Sequence, residues 1–124
     1  MITVAEDGMP KVAKVGVARV DGKVWVSGTR DRVRTKRLLQ DPRCLLYVHD
    51  NAVGWLALES TVTVIDGPQV PELSIRLFRI MQGKPTGPLH WFGGELDEPA
   101  FLEQMNDEGC VIYEFDVHKS YGMH

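Results

Sequence analysis

The sequence predicts a mainly β fold, a small six-stranded and mostly antiparallel barrel with short flanking helices. Short runs rich in valine, isoleucine and aromatic residues follow one another through turns built on Asp-Gly and Gly-Pro, which favours antiparallel pairing. Helical spacing of apolar residues is confined to three segments. Strands of this kind close most easily as a small barrel, because closure removes their exposed edges.

Six runs predict the strands. In chain order they cover residues 2–5, 12–20, 24–27, 44–48, 55–65 and 111–118. Asp21-Gly22 lies between the second and third runs and predicts a hairpin, because both positions of a type I′ turn require positive φ. Apolar and polar residues alternate most regularly between residues 55 and 65, as in a strand with one buried face.

Three segments predict helices, at residues 32–40, 71–82 and 97–108. Asp31 or Thr29 is suited to cap the first helix, and Pro42 stops it. The apolar stripe of the second helix consists of Leu73, Leu77, Ile80 and Met81. Asp97 is suited to cap the third helix. Residues 83–96 are rich in glycine and proline and predict an irregular segment.

Length and composition indicate one ordinary domain, residues 1–124. The chain is 44% hydrophobic and 25% charged, as in a typical globular protein. Cys44 and Cys110 are too few and too far apart for a disulfide framework or a zinc ribbon, which favours a reducing, cytoplasmic location. No apolar run approaches the ~20 residues of a membrane span, and no secretion signal is evident.

Positive charge is concentrated in one segment of an acidic chain. Residues 30–43 carry six basic and two acidic side chains, whereas residues 44–124 carry four basic and twelve acidic ones. A nucleic-acid-binding domain usually has a basic face over its whole extent. The pattern therefore predicts a local anion site and argues against a nucleic-acid partner.

The anion site is predicted where the third strand leads into the first helix, at residues 27–36. A helix N-terminus offers free backbone N–H groups to an anion, and arginine forms bidentate hydrogen bonds with phosphate. Arg32 and Arg34 lie in that first turn. A phosphate site is one interpretation, and a solvated basic helix face is the other. The phosphate loop of nucleotide-binding ATPases is excluded, because its motif is absent.

Three segments, residues 8–12, 21–27 and 29–43 (TRDRVRTKRLLQDPR), resemble the pyridoxamine 5'-phosphate oxidase-like superfamily of FMN-binding split β-barrels. More narrowly, they resemble its actinobacterial flavin/deazaflavin oxidoreductases. The likeness covers most of residues 4–66 and 110–122. Arg34 stands where the family usually has lysine, Leu38-Leu39 replaces Asn-Leu, and the family's N-terminal helix is expected to be absent.

The resemblance implies a Greek-key-like split barrel that forms a homodimer, with FMN or the deazaflavin coenzyme F-420 bound between the subunits. The cofactor-binding residues that it implies are Lys14, Val15, Gly16, Ser27, Thr29, Arg32, Arg34, Lys36, Trp55 and Leu56. Arg32 and Arg34 are expected to hold the phosphate, and the backbone at 14–16 to face the isoalloxazine ring. Trp55 and Leu56 are expected to come from the partner subunit.

The function implied is that of an oxidoreductase, in which the cofactor exchanges hydride with a small conjugated substrate. Such chemistry requires no catalytic side chain and no metal, because the protein supplies position and electrostatics. We favour coenzyme F-420 over FMN, because several additional bases beside the phosphate site suit its oligoglutamate tail. These bases are Arg30, Lys36, Arg37 and Arg43.

Two alternatives remain open from the residues. The first is a non-catalytic carrier or sensor of flavin or haem, with His90 and His118 as the first haem ligands to test; the other histidines, His49 and His124, are interpreted as surface residues. The second is a nucleic-acid-binding barrel.

The segment 90–94 (HWFGG) is interpreted as a pocket wall or lid, a dimer contact, or a loop tucked beneath the barrel.

Overall fold

The computed structural model describes residues 1–123 and contains nine strands and three helices within that range. The strands are β1 (Ile2–Val4), β2 (Pro10–Val12), β3 (Val17–Val20), β4 (Lys23–Thr29), β5 (Arg43–His49), β6 (Trp55–Ile65), β7 (Leu89–Trp91), β8 (Gly94–Leu96) and β9 (Cys110–Met123). The helices are α1 (Val33–Gln40), α2 (Val70–Gln82) and α3 (Glu98–Asp107).

Seven strands form one antiparallel sheet in the order β2-β1-β5-β6-β9-β4-β3, and β7 pairs with β8 in a separate hairpin. The predicted mainly β, antiparallel class is therefore confirmed. The predicted number of six strands is wrong for two reasons. The second predicted strand is divided in two, and the segment 83–96, predicted to be irregular, contains the β7–β8 hairpin.

The division of the second predicted strand explains the shape of the sheet. β2 pairs with β1 at one edge of the sheet, whereas β3 pairs with β4 at the opposite edge. Residues 13–16 join the two edges, and a link of this length spans at most about 18 Å. The sheet must therefore curl until its edges approach each other. No ladder joins β2 to β3 within residues 1–123, so the sheet is not closed. The split barrel that the resemblance implies is therefore confirmed, and the closure expected from the strand pattern alone is wrong.

The curled sheet buries a cluster on each of its faces. The inner cluster consists of Met1, Val26, Leu38, Cys44, Leu46, Val62, Val111, Tyr113 and Phe115. The outer cluster lies beneath α2 and α3 and consists of Val20, Trp25, Val70, Ile75, Leu77, Leu89, Phe101, Met105, Cys110 and Ile112. Both cysteines, Cys44 and Cys110, are free and buried.

Another part of the sheet carries exposed aromatic side chains, on β5, the start of β6 and the end of β9. Cross-strand pairing sets Tyr47 and Tyr121 on either side of Ala57, and His49 and Met123 on either side of Trp55. Tyr47 and Trp55 stack at 6.0 Å, and Trp55 meets Tyr121 edge-on at 6.2 Å. We call these residues the aromatic patch: Tyr47, His49, Trp55, Tyr121 and Met123.

Local signals in the sequence are mostly confirmed. Asp21 and Gly22 have φ values of 52° and 79°, as the type I′ turn requires. Asp97 caps α3 by accepting a hydrogen bond from the backbone N–H of Ala100. The predicted apolar stripe of α2 is only partly buried, because Ile80 and Met81 are 48% and 36% exposed.

Among the helices of residues 1–123, none is long and apolar enough to cross a membrane.

Candidate functional site

A groove of about 260 Å³ opens where the two sheet edges approach each other. The linker 13–16, β4, the start of α1, the end of α2, the β7–β8 tip and the residue after α3 form its walls. Its lining residues are Lys14, Val15, Gly16, Ser27, Gly28, Thr29, Arg32, Arg34, Phe78, Met81, Trp91, Phe92 and Glu108. We call it the arginine groove.

The arginine groove brings together seven of the ten predicted cofactor-binding residues: Lys14, Val15, Gly16, Ser27, Thr29, Arg32 and Arg34. Lys36 is exposed on α1 and is not part of the lining. Trp55 and Leu56 line a different hollow, of about 490 Å³. Within one chain, the structure thus brings together the seven predicted residues that lie between positions 14 and 34. It does not bring Trp55 and Leu56 to the same groove.

The separation follows from the sheet register. Ser27 pairs with Ile112 at one end of β9, whereas Trp55 pairs with Met123 at the other. These positions on β9 lie roughly 35 Å apart along the strand, at the usual rise per residue. A site that includes both Ser27 and Trp55 must therefore take them from different chains.

Hydrogen bonds on the core side of α1 hold the start of this helix in place. The Thr35 hydroxyl donates to the backbone carbonyl of Thr29 at 2.7 Å. It is also hydrogen-bonded to the hydroxyl of Tyr113. Because the only proton of the Thr35 hydroxyl is used toward Thr29, Tyr113 is the donor in this second bond. The segment that carries Arg32 and Arg34 is therefore anchored to the central strand β9.

The backbone at the start of α1 has no side-chain cap. Arg32 occupies the N-cap position in an extended conformation and makes no capping hydrogen bond. The predicted cap by Asp31 or Thr29 is wrong, because the Thr29 hydroxyl donates to Asp31 at 2.7 Å instead. This hydrogen bond holds the pKa of Asp31 below its ordinary value. Uncapped N–H groups at a helix start favour an anion.

Arg34 provides the clearest sign of an anion site. Its Nε is buried and has no hydrogen-bond partner among residues 1–123. A buried guanidinium N–H without an acceptor is unfavourable. A phosphate oxygen would satisfy it with a charge-assisted hydrogen bond. The residues of the arginine groove therefore fit a phosphate-bearing ligand.

The lining contains three basic side chains, Lys14, Arg32 and Arg34, and one carboxylate, Glu108. Glu108 accepts a hydrogen bond of 3.0 Å from the side-chain amide of Gln104. The net charge of the lining is positive, so the groove favours anions even with the carboxylate present.

Two of the additional bases expected to meet an anionic tail are paired within the chain. Arg30 forms two hydrogen bonds of 2.8 Å with Asp66, and this pairing holds the pKa of Asp66 below its ordinary value. Arg43 pairs with Asp41 at 2.7 Å. Lys36 and Arg37 on α1 are the remaining bases of that set. The preference for a long anionic tail therefore depends on fewer residues than the sequence suggests.

An apolar wall of the groove is formed by Phe78, Met81, Trp91 and Phe92. A pocket wall is one of the interpretations that the sequence offers for the segment 90–94, which contains Trp91 and Phe92, whereas Phe78 and Met81 were not predicted to belong to the site. The sequence signal for the hairpin that carries part of this wall is the segment 90–94, since a two-residue turn ending in glycine between apolar runs is typical of a hairpin. Of its three interpretations, the pocket wall agrees with the lining of the groove.

The histidines proposed as haem ligands lie outside the groove lining. His90 Nδ1 is 3.8 Å from Glu95, and His118 Nε2 is 2.8 Å from the hydroxyl of Thr61. His124 lies outside the described residues. In the part of the chain that the structure describes, no three histidine, cysteine, aspartate or glutamate side chains group as metal ligands.

A larger hollow, of about 580 Å³, lies on β1, β5, β6 and β9 near the aromatic patch. Its single arginine, Arg43, is already paired with Asp41. It contains no unpaired buried cation, so we assign the candidate ligand site to the smaller arginine groove.

Comparison with known proteins identifies the fold. No family model and no curated protein matches the chain. Among solved structures, the chain is similar to the conserved hypothetical protein Rv2991 of Mycobacterium tuberculosis, with a TM-score of 0.71 and 19% identity over 98% of this chain and 73% of that one. It is also similar to an F-420 reductase, with a TM-score of 0.69 and 19% identity over 97% of this chain and 85% of that one.

A third similar structure is a candidate pyridoxamine 5'-phosphate oxidase from Listeria innocua. Its TM-score is 0.63 and its identity 11%, over 98% of this chain and 83% of that one. At these identities the likeness extends to the fold alone. The chain therefore has the pyridoxamine 5'-phosphate oxidase-like fold that the resemblance predicts.

Proposed function

We propose that this protein is a homodimeric oxidoreductase that binds a phosphate-bearing flavin or deazaflavin in the arginine groove. The observation that carries the proposal concerns Arg34, which lines the groove beside the uncapped start of α1 and whose buried Nε has no partner among the described residues. Arg32 and Arg34 would hold the phosphate, with the hydroxyls of Ser27 and Thr29 beside it.

The ring of the ligand would lie along the linker 14–16. This linker borders the apolar wall that contains Phe78 and Met81, whereas the part of the groove beside the arginines is positively charged. An amphipathic molecule with a phosphate at one end and a planar ring at the other matches this division. The bound ring would supply hydride transfer to or from a small conjugated substrate. The chain itself would bind, orient and exclude water.

A second copy of the chain would complete the site. The groove of about 260 Å³ is smaller than the 300–1,000 Å³ typical of pockets that enclose such ligands. The aromatic patch offers an exposed, largely apolar surface for a second copy, since Tyr47, Tyr121 and Met123 are each between 45% and 53% exposed. Aromatic residues and methionine are enriched at protein interfaces. Trp55 and Leu56 would then reach the groove of the partner subunit.

Coenzyme F-420 is the cofactor that we favour over FMN. Lys36 and Arg37 extend the positive charge along α1 beyond the groove, where an oligoglutamate tail would follow the phosphate. The fold is shared both with an F-420 reductase and with a candidate pyridoxamine 5'-phosphate oxidase, so the likeness in fold agrees with either cofactor and the preference rests on the charge. The pairing of Arg30 and Arg43 within the chain reduces this preference without reversing it.

The experiment that tests the phosphate site is a fluorescence titration with FMN and with coenzyme F-420. We expect tighter binding of F-420, and a loss of at least tenfold in affinity for both ligands in Arg32→Ala/Arg34→Ala, since each charge-assisted hydrogen bond contributes roughly 1.5–3 kcal/mol. Arg19→Ala/Arg76→Ala is the matched control, because it removes two arginines outside the lining. Equal losses in the two double variants would refute a specific phosphate site.

The shared site is tested by sedimentation. Tyr121→Arg introduces a charge into the aromatic patch at a side chain that is 45% exposed, so the monomer should still fold. We expect a monomer that has lost ligand binding although its arginines are intact. Leu39→Arg, at a side chain 69% exposed on α1, is the control and should remain dimeric. A Tyr121→Arg variant that is dimeric, or monomeric with full binding, would contradict the proposal.

A further inference from the structure

The tip of the β7–β8 hairpin is an unusual place for phenylalanine. Phe92 and Gly93 form its two-residue turn, with φ values of 44° and 81°. Such turns favour asparagine, aspartate or glycine at the first position, because a bulky L-residue is disfavoured at positive φ. Phe92 is also 89% exposed. Backbone conformation and solvent exposure therefore both disfavour the residue that is present.

The hairpin that carries Phe92 is held firmly to α2. The backbone N–H of His90 donates to the side-chain oxygen of Gln82 at 2.9 Å, and the Gln82 amide donates to the His90 carbonyl at 3.1 Å. Leu89, at the base of the hairpin, is fully buried. The turn is thus attached close to a fixed point in the core, and its direction is set.

A series of contacting aromatic side chains runs from the core to the tip of the β7–β8 hairpin. Phe101 is fully buried, and Trp91 meets both Phe101 and Phe78 edge-on, with ring centres 5.8 and 5.7 Å away. Phe92 meets Trp91 edge-on at 4.9 Å. Phe92 is the exposed end of this series and lines the arginine groove together with Met81. Packing of Trp91 therefore supports Phe92 from one side and leaves most of its ring open.

The geometry points to Phe92 as a ring-binding residue, which stacks on the planar aromatic ring of the ligand in the arginine groove. A flat, uncharged π-surface is the ligand chemistry that an exposed phenyl ring and a neighbouring thioether recognise. The identity of that ring as an isoalloxazine or deazaflavin rests on the proposed function. The placement of Phe92 rests on the turn, its anchor and the groove.

Two variants separate binding from folding. Phe92→Leu retains an apolar side chain without an aromatic face. Phe92→Asn creates an Asn-Gly turn, the most favoured type I′ sequence, and should raise Tm or leave it unchanged. Leu39→Ala, which removes exposed apolar surface outside the groove lining, is the control. The probes are lumiflavin, which is the ring alone, together with FMN and coenzyme F-420.

We expect both Phe92 variants to bind all three probes about 3- to 10-fold more weakly, as the loss of a stacked aromatic pair implies. The ratio of FMN to lumiflavin affinity should not change, because the phosphate site is intact. This ratio distinguishes the inference from the effect of Arg32→Ala/Arg34→Ala, which should lower the affinity for FMN and for F-420 but not for lumiflavin. Unchanged affinities in both Phe92 variants would overturn the inference while leaving the proposed function in place.

Other outcomes are equally decisive. If lumiflavin binds through Phe92 but FMN and F-420 bind no more tightly, the proposed phosphate site fails and the ring-binding role stands. If no probe binds the wild-type protein, both fail. A lower Tm in both variants with unchanged binding would assign Phe92 to hairpin packing, and dissociation of the dimer would assign it to the subunit contact; each overturns the inference.

Discussion

The hydroxyl of Tyr113 on β9 is hydrogen-bonded to the hydroxyl of Thr35 on α1, across 78 residues of sequence and inside the core. Thr35 in turn donates to the carbonyl of Thr29 at the end of β4. These two bonds connect the central strand to the segment that carries Arg32 and Arg34. The position of the arginines therefore depends on a buried tyrosine that does not itself line the groove.

Replacing Tyr113 with phenylalanine should weaken both stability and ligand binding. The change removes the donor to Thr35, and a lost buried hydrogen bond reduces the free energy of unfolding by about 1–2 kcal/mol. Urea denaturation and FMN titration measure the two effects. Thr63→Val is the control, since it removes an exposed hydroxyl outside the groove lining. If Tyr113→Phe is as stable as wild type, the bond has no structural importance.

Gly28 is required by its contact with the same tyrosine. A Cβ at position 28 would overlap the hydroxyl and ring of Tyr113. Gly28→Ala should lower the free energy of unfolding by about 1–3 kcal/mol, as overpacking does. In Gly28→Ala/Tyr113→Phe the hydroxyl is gone, so the double variant should lose less than the sum of the single losses. Gly94→Ala, whose Cβ would meet open space apart from one contact at 3.8 Å, is the control. Strict additivity would contradict the contact.

Glu108→Gln should raise the affinity for phosphate-bearing ligands. Glu108 is the one carboxylate of the groove lining, so its removal increases the positive potential there. At an open site we expect about a 2- to 5-fold gain at low salt, which falls as the ionic strength rises. Titration with FMN at two salt concentrations measures it. Glu103→Gln, exposed on α3 and outside the lining, should have no effect. An equal gain in both variants would indicate a general charge effect.

Stability should fall at alkaline pH because of Cys44. Burial raises the pKa of its thiol from the ordinary 9.0 to about 11. The unfolded chain then loses the thiol proton more readily than the folded one. The contribution of the Cys44 thiol to the free energy of unfolding is therefore complete below pH 9 and is lost as pH rises toward 11. Urea denaturation at pH 8 and pH 10.5 measures the loss, which should be smaller in Cys44→Ala. An identical pH dependence in the variant would exclude Cys44 as the cause.

Features governed by neighbours along the chain were predictable from the sequence. The Asp21-Gly22 turn and the Asp97 cap form as predicted, because a turn or cap depends on residues two or three positions away. The strand Trp55–Ile65 also matches its predicted bounds, because its alternation gives it one apolar face for the core. The predicted arginines, Arg32 and Arg34, do lie together in one groove.

Features governed by distant segments were not predictable in this way. Residues 12–20 are rich in valine and alanine along the whole segment, yet β2 and β3 pair with different partners at opposite edges, so the predicted strand is divided. The burial of the Arg34 Nε depends on how α1 packs against the sheet, and the role of Met81 depends on which face of α2 meets the groove. Residue type and spacing specify local conformation, whereas long-range packing decides which surfaces meet, because it depends on the free energy of the whole fold.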